Sequence, residues 1–154
     1  MLKINFKAPE FILKNHDGDV VRLSELLGKP LIVYFYPQDD TPGCTTEACN
    51  FRDDYNDYKD LGVEIIGISP DTVESHQEFR KKYHLPFTLL SDSDHSTAKS
   101  YGVWGKKEKE GIEYEGIYRT TFIVDQKGEI VKIFEGVDPS SHSQEVLEEI
   151  KKIV

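Results

Sequence analysis

Short runs of β-branched and aromatic residues alternate along this chain with stretches whose apolar positions return every three or four residues. That pattern predicts strands and helices taking turns. Phe11-Ile-Leu-Lys, Asn15-His-Asp-Gly and Val20-Val-Arg-Leu read as a short hairpin, with Gly18 supplying the positive φ of its turn. Ser24 is placed to cap a short turn before Gly28. Leu31-Ile-Val-Tyr-Phe-Tyr is apolar throughout and bounded by Pro30 and Pro37, as a central strand buried on both faces should be. From Cys44 the residues Ala48, Phe51, Tyr55 and Tyr58 form one stripe of a helix that ends near Gly62.

Val63 to Ser69 then predicts a second strand. Asp71 and Glu74 fit a capping box opening a helix that runs to about Tyr83, where Pro86 forbids continuation. Phe87-Thr-Leu-Leu predicts a third strand, Ser96 to Tyr101 a short helix, and Lys106-Lys-Glu-Lys-Glu-Gly a charged solvent loop. Tyr118–Val124 and Glu129–Phe134 flank Asp125-Gln-Lys-Gly, a second hairpin. Ser141-His-Ser-Gln caps a last helix with Val146, Leu147, Ile150 and Ile153 on one face. No repeat or linker divides the chain, so residues 1–154 are expected to form one domain. The order implies an α/β fold, a mixed central sheet flanked by helices. It matches a thioredoxin-like fold with an N-terminal β-hairpin extension.

Composition narrows the function classes. A chain of 154 residues can bury a core without disulfide staples. Its formal charge of -9 argues against nucleic acid as a partner, because phosphate contacts need clustered Lys and Arg. Lys3 and Asn5 interrupt the apolar residues of the N-terminus, unlike the core of a secretory signal. The longest apolar run, Leu31 to Tyr36, is far short of the roughly 20 residues of a membrane span. A cytoplasmic location is the expectation. There, a chain with two cysteines more often uses them for catalysis, redox exchange or metal binding than for a structural bridge.

Pro37-Gln-Asp-Asp-Thr-Pro-Gly-Cys44 joins the end of the central strand to a helix, where open α/β sheets gather reactive groups. Thr41 is placed as N-cap and Pro42 as first helical residue, which puts Cys44 in the first turn. Free N–H groups and the positive end of the helix dipole there favour thiolate over thiol. Alone, Cys44 would more simply be a small buried hydrophobe; the Thr-Pro-Gly lead-in and a second cysteine favour chemistry. Cys49 lies five residues on, rotated about 140° and raised about 7.5 Å on an ideal helix. The two Cα atoms would then be about 8 to 9 Å apart, beyond the roughly 7 Å a disulfide tolerates. A redox pair needing local unwinding and two unrelated thiols both fit that spacing. C-x4-C is two residues too long for the C-x-x-C of thiol–disulfide oxidoreductases, and the five scattered histidines give no zinc pattern. Asp39, Asp40, Asp53, Asp54 and Asp57 read as solvated faces.

Tyr36-Pro-Gln-Asp-Asp-Thr-Pro-Gly-Cys-Thr-Thr-Glu-Ala-Cys-Asn-Phe-Arg-Asp53 closely resembles the active-site segment of peroxiredoxins, specifically the bacterioferritin comigratory protein or peroxiredoxin Q subfamily. The family pattern P-x-x-x-T-x-x-C falls on Pro37, Thr41 and Cys44. Gly116-Ile-Tyr-Arg-Thr-Thr-Phe-Ile-Val-Asp125 resembles the segment that supplies the family's arginine, here Arg119, and the likeness extends to Ala8-Pro-Glu-Phe and Tyr101-Gly-Val-Trp104. One departure is Gln38, where many relatives carry Lys.

The resemblance implies a thioredoxin-dependent antioxidant peroxidase for hydrogen peroxide and organic hydroperoxides. Cys44 would be the peroxidatic cysteine and Cys49 the resolving one, joined by an intramolecular disulfide in an atypical 2-Cys cycle. Thr41, Arg119 and Pro37 would complete the site. Neither metal nor organic cofactor is implied, the reductant is thioredoxin or a similar dithiol, and the protein is expected to be a monomer or weak homodimer. One geometric argument supports Arg119: a strand after it, antiparallel to Leu31–Tyr36, would start at the sheet edge that carries Cys44. Standing alone, Arg119 would read as a surface charge, and Trp104 reads as packing.

Overall fold

The continuous apolar run of the sequence forms the middle of a seven-stranded sheet in the computed structural model, which describes residues 2–154. β1 (Ile12–Asn15) and β2 (Val20–Arg22) pair as a hairpin, with Gly18 at φ 85° in its turn. α1 (Leu23–Leu26) follows, and then β3 (Leu31–Phe35), whose five residues are all buried. α2 (Pro42–Asp53), α3 (Tyr55–Asp60), β4 (Glu64–Ser69), α4 (Val73–Lys82), β5 (Thr88–Ser91) and α5 (Ser96–Ser100) continue the alternation. β6 (Trp104–Lys109) and β7 (Ile112–Ile117) make a separate ribbon. β8 (Thr120–Val124), β9 (Ile130–Glu135) and α6 (His142–Ile153) complete the chain.

The sheet order is β2-β1-β5-β4-β3-β8-β9. β3, β4 and β5 run parallel, β8 is antiparallel to β3, and Phe35 faces Thr120 across that pair. Alternate residues of β3 feed opposite cores. Ile32 and Tyr34 pack with Phe51, Tyr58, Phe79, Val146 and Ile150, so α2, α3, α4 and α6 cover one face. Leu31, Val33 and Phe35 pack with Leu23, Ala98, Tyr101 and Phe122 under α1 and α5. The expected mixed sheet covered on both sides, with its N-terminal hairpin, is therefore present. No helix among the described residues is long and apolar enough to cross a membrane.

Several local expectations are corrected. The helix expected to run unbroken toward Gly62 breaks at Asp54, whose carboxylate instead accepts from Ser143 Oγ at 2.7 Å and Gln144 Nε2 at 2.9 Å. Thr72, not Asp71, caps α4 and accepts from the Ser75 N–H at 3.1 Å; Asp71 is drawn into a contact with the Asp39 backbone. Ser24 lies inside α1, where Glu10 Oε1 accepts its N–H. Ser141 begins α6 without a side-chain capping bond, and Ile153 is exposed. The charged stretch Lys106–Gly111 is a strand and turn rather than a loop, because an antiparallel ladder with Ile112–Ile117 pairs its inward backbone groups and Glu110 and Gly111 both adopt positive φ. Trp104 is half-buried in β6, stacked on His95 with ring centroids 3.9 Å apart.

Candidate active site

At the end of β3 the chain leaves the sheet through Tyr36 and Pro37 and re-enters regular structure at Pro42. Thr41 occupies the N-cap in an extended conformation, and its carbonyl accepts the first helical bond from the Thr45 N–H at 2.8 Å. Its hydroxyl does not cap the helix; it donates to the Gln38 carbonyl at 2.9 Å and so braces the loop. The helix start leaves the N–H groups of Gly43 and Cys44 without intrahelical acceptors. Cys44 itself is only 1% exposed.

Arg119 immediately precedes β8, and the antiparallel register with β3 brings it to the same sheet edge as the mouth of α2. Its Nη2 donates to Cys44 Sγ at 3.0 Å, and its Nη1 donates to Glu47 Oε1 at 3.3 Å. One guanidinium thus faces a sulfur and a carboxylate that share a face of α2, three residues apart. Gly43 is required by that approach: a Cβ there would stand 2.9 Å from Arg119 Nη2. Pro37 borders the same loop and is half-buried.

Glu47 is 1% exposed, and burial pushes its carboxyl up to about 7 from an ordinary 4.5, with Arg119 opposing the rise. Ionising it is harder in the folded protein than in the unfolded chain. Glu47 therefore contributes stability that is fully present below about pH 4.5 and is lost as the pH climbs through about 7. The total is about 3 kcal/mol. Glu47→Gln should flatten this slope, which urea unfolding at about pH 5 and about pH 8 will show as a smaller difference between midpoints than in the parent.

Cys49 lies further along α2, half-buried, with its thiol as free as that of Cys44. Burial raises its pKa, the nearby Asp53 adds to the effect and Arg52 opposes it, so Cys49 is held in the thiol form. Cys44, Thr41 and Arg119 are gathered at one helix mouth, whereas Cys49 points elsewhere on the intact helix. Sequence reasoning missed Glu47 and Gly43. The signal for Glu47 was its position three residues after Cys44, on the face turned toward the core.

The pattern of the AhpC/TSA family matches residues 4–133. Peroxiredoxin Bcp of Bacillus subtilis is 45% identical over 150 residues, covering 97% of this chain and 96% of that protein. Among solved structures, bacterioferritin comigratory protein of Xanthomonas campestris, described for its alkyl peroxide reduction activity, superposes with a TM-score of 0.88 at 33% identity, covering 93% and 91% of the two chains. PrxQ of Xylella fastidiosa superposes with a TM-score of 0.93 at 29% identity over 99% and 98% of the two chains.

Proposed function

Because this chain belongs to the AhpC/TSA family, among its Bcp and PrxQ peroxiredoxins, and is therefore a thiol peroxidase, we propose that Cys44 is the sulfur that attacks the peroxide and that Cys49 resolves it. The observation that carries this reading is the Arg119 guanidinium 3.0 Å from a sulfur in the first turn of a helix. A fixed cation and free N–H groups at the helix start stabilise the charge that moves onto oxygen in the transition state.

In the first step the Cys44 thiolate attacks the terminal oxygen of a hydroperoxide. An S–O bond forms, the O–O bond breaks, and the alkoxide or hydroxide leaves with a proton from solvent as alcohol or water. The sulfur is oxidised by two electrons to the sulfenic acid, and the peroxide is reduced. Thr41 is suited to orient the peroxide: its proton is given to Gln38, so its lone pairs remain to accept from the incoming O–H.

In the second step the Cys49 thiol displaces water from the sulfenic acid and forms a disulfide. An intact α2 keeps the sulfurs apart, so this step requires local opening. Both cysteines lie within Pro42–Asp53, the segment that must open. A dithiol protein of thioredoxin type then reduces the disulfide by exchange, in keeping with a cytoplasmic setting.

Cys49→Ser tests the division of labour. The variant should complete one rapid turnover with peroxide and then lose thioredoxin-linked NADPH consumption by at least about a hundredfold. Undiminished steady-state turnover would remove Cys49 from the cycle.

A further inference from the structure

Two residues before Thr41, the loop is fastened into the interior. The Asp39 side chain is 3% exposed, and its carboxylate receives the Tyr36 hydroxyl at 2.6 Å, the Ser75 hydroxyl at 2.8 Å and His76 Nδ1 at 2.7 Å. His76 is fully buried, and its Nε2 lies 2.9 Å from the Leu90 carbonyl oxygen. A carbonyl oxygen only accepts, so Nε2 carries a hydrogen. Nδ1 faces a carboxylate oxygen, so a proton must lie between those two atoms as well. Two hydroxyls also donate to that carboxylate, which completes the anchor.

The surroundings extend this fastening. The Asp39 N–H donates to Asp71 Oδ2 at 2.7 Å, and the same oxygen accepts from Ser69 Oγ at 2.6 Å. Asp40 takes a left-handed φ of 54°, and its carboxylate accepts from Lys82 Nζ at 2.8 Å and the Tyr83 hydroxyl at 2.7 Å. Asp39, Asp71 and His76 each bring one ligand atom within 4.8 Å of the others, a spacing that would also suit a cation. The oxygens concerned already accept N–H and O–H donors, which favours a hydrogen-bonded anchor over a metal centre. Asp39 is thus not the solvated carboxylate expected from the sequence: α4 and the ends of β4 and β5 close over it.

We propose that the Asp39–His76 pair is a positioning element of the peroxidase site, holding the Pro37–Thr41 loop so that the Thr41 hydroxyl and the first turn of α2 stay registered on Cys44 and Arg119. The inference rests on Cys44 being the attacked sulfur. The anchored loop belongs to β3, β4 and α4, whereas the segment that opens for Cys49 lies beyond it. Loss of the anchor should therefore slow the attack on peroxide without slowing the condensation that follows.

Rapid mixing of hydrogen peroxide with Asp39→Asn, His76→Gln and the double variant, which leaves no lone buried charge, separates these steps. Oxidation of Cys44 should slow roughly ten- to a hundredfold, as a small misplacement of reacting groups does. Alkylation of Cys44 by iodoacetamide, which does not use Thr41, should stay within about threefold of the parent, and disulfide formation should not slow. Parent-like oxidation in the folded double variant, or a common fall in all three rates, would each overturn the anchor. A parent protein that is not oxidised at Cys44 would instead sink the reading of the site itself.

Discussion

Cys44→Ser abolishes peroxide consumption, lowering it by at least about four orders of magnitude. A serine hydroxyl in the same place remains protonated and offers a far weaker nucleophile, and no other group of the site can accept an oxygen atom. The fold should survive. Cys44 is buried beside Arg119 Nη2, and a hydroxyl can accept the same hydrogen bond. Circular dichroism and a urea midpoint near the parent's, together with a flat peroxide trace, is the expected combination. Turnover at the parent rate would move the chemistry to another residue.

Replacing Arg119 should cost about a hundred- to a thousandfold in the rate of Cys44 oxidation, the usual penalty for removing one preorganised donor from a developing anion. Arg119→Lys should recover little of it. The guanidinium serves sulfur and Glu47 at once through two nitrogens, and an ammonium cannot span both in the same plane. Arg119→Ala has a second consequence at Glu47. The cation is what opposes the burial-driven rise of that carboxyl to about 7, so without it Glu47 stays protonated to still higher pH. Stopped-flow oxidation of both variants checks the rate, and the pH dependence of their urea midpoints checks the carboxyl. An Arg119→Ala protein oxidised as fast as the parent would refute the electrostatic account.

The parts of this protein that were readable from sequence are those where one physical requirement dominates. Leu31–Phe35 is buried on both faces, so its residues carry no polar interruption, and α6 shows its core stripe through Val146, Leu147 and Ile150. The ribbon β6–β7 was not readable, because most of its side chains face water and its stability lies in a backbone ladder that leaves no apolar alternation in Lys106–Lys109. Asp71 and Thr72 are both good caps; the Asp39 N–H and the Ser69 hydroxyl, both donating to Asp71, decide between them.

The site divides in the same way. Cys44 and Thr41 announce themselves through helix-start chemistry, and Arg119 follows once β8 is placed antiparallel to β3. Glu47 and Asp39 stayed hidden, because a carboxylate in a sequence looks solvated until packing buries it. In this fold both are buried, and each is paired with a nitrogen base that the sequence places far away: Arg119 for Glu47 and His76 for Asp39.

The most direct test of the whole account is the intact mass of the protein after one equivalent of hydrogen peroxide, followed by peptide mapping. The account predicts loss of two hydrogens and a single cross-link joining the peptides of Cys44 and Cys49. Two thiols that remain free and alkylatable after the peroxide has gone would contradict it.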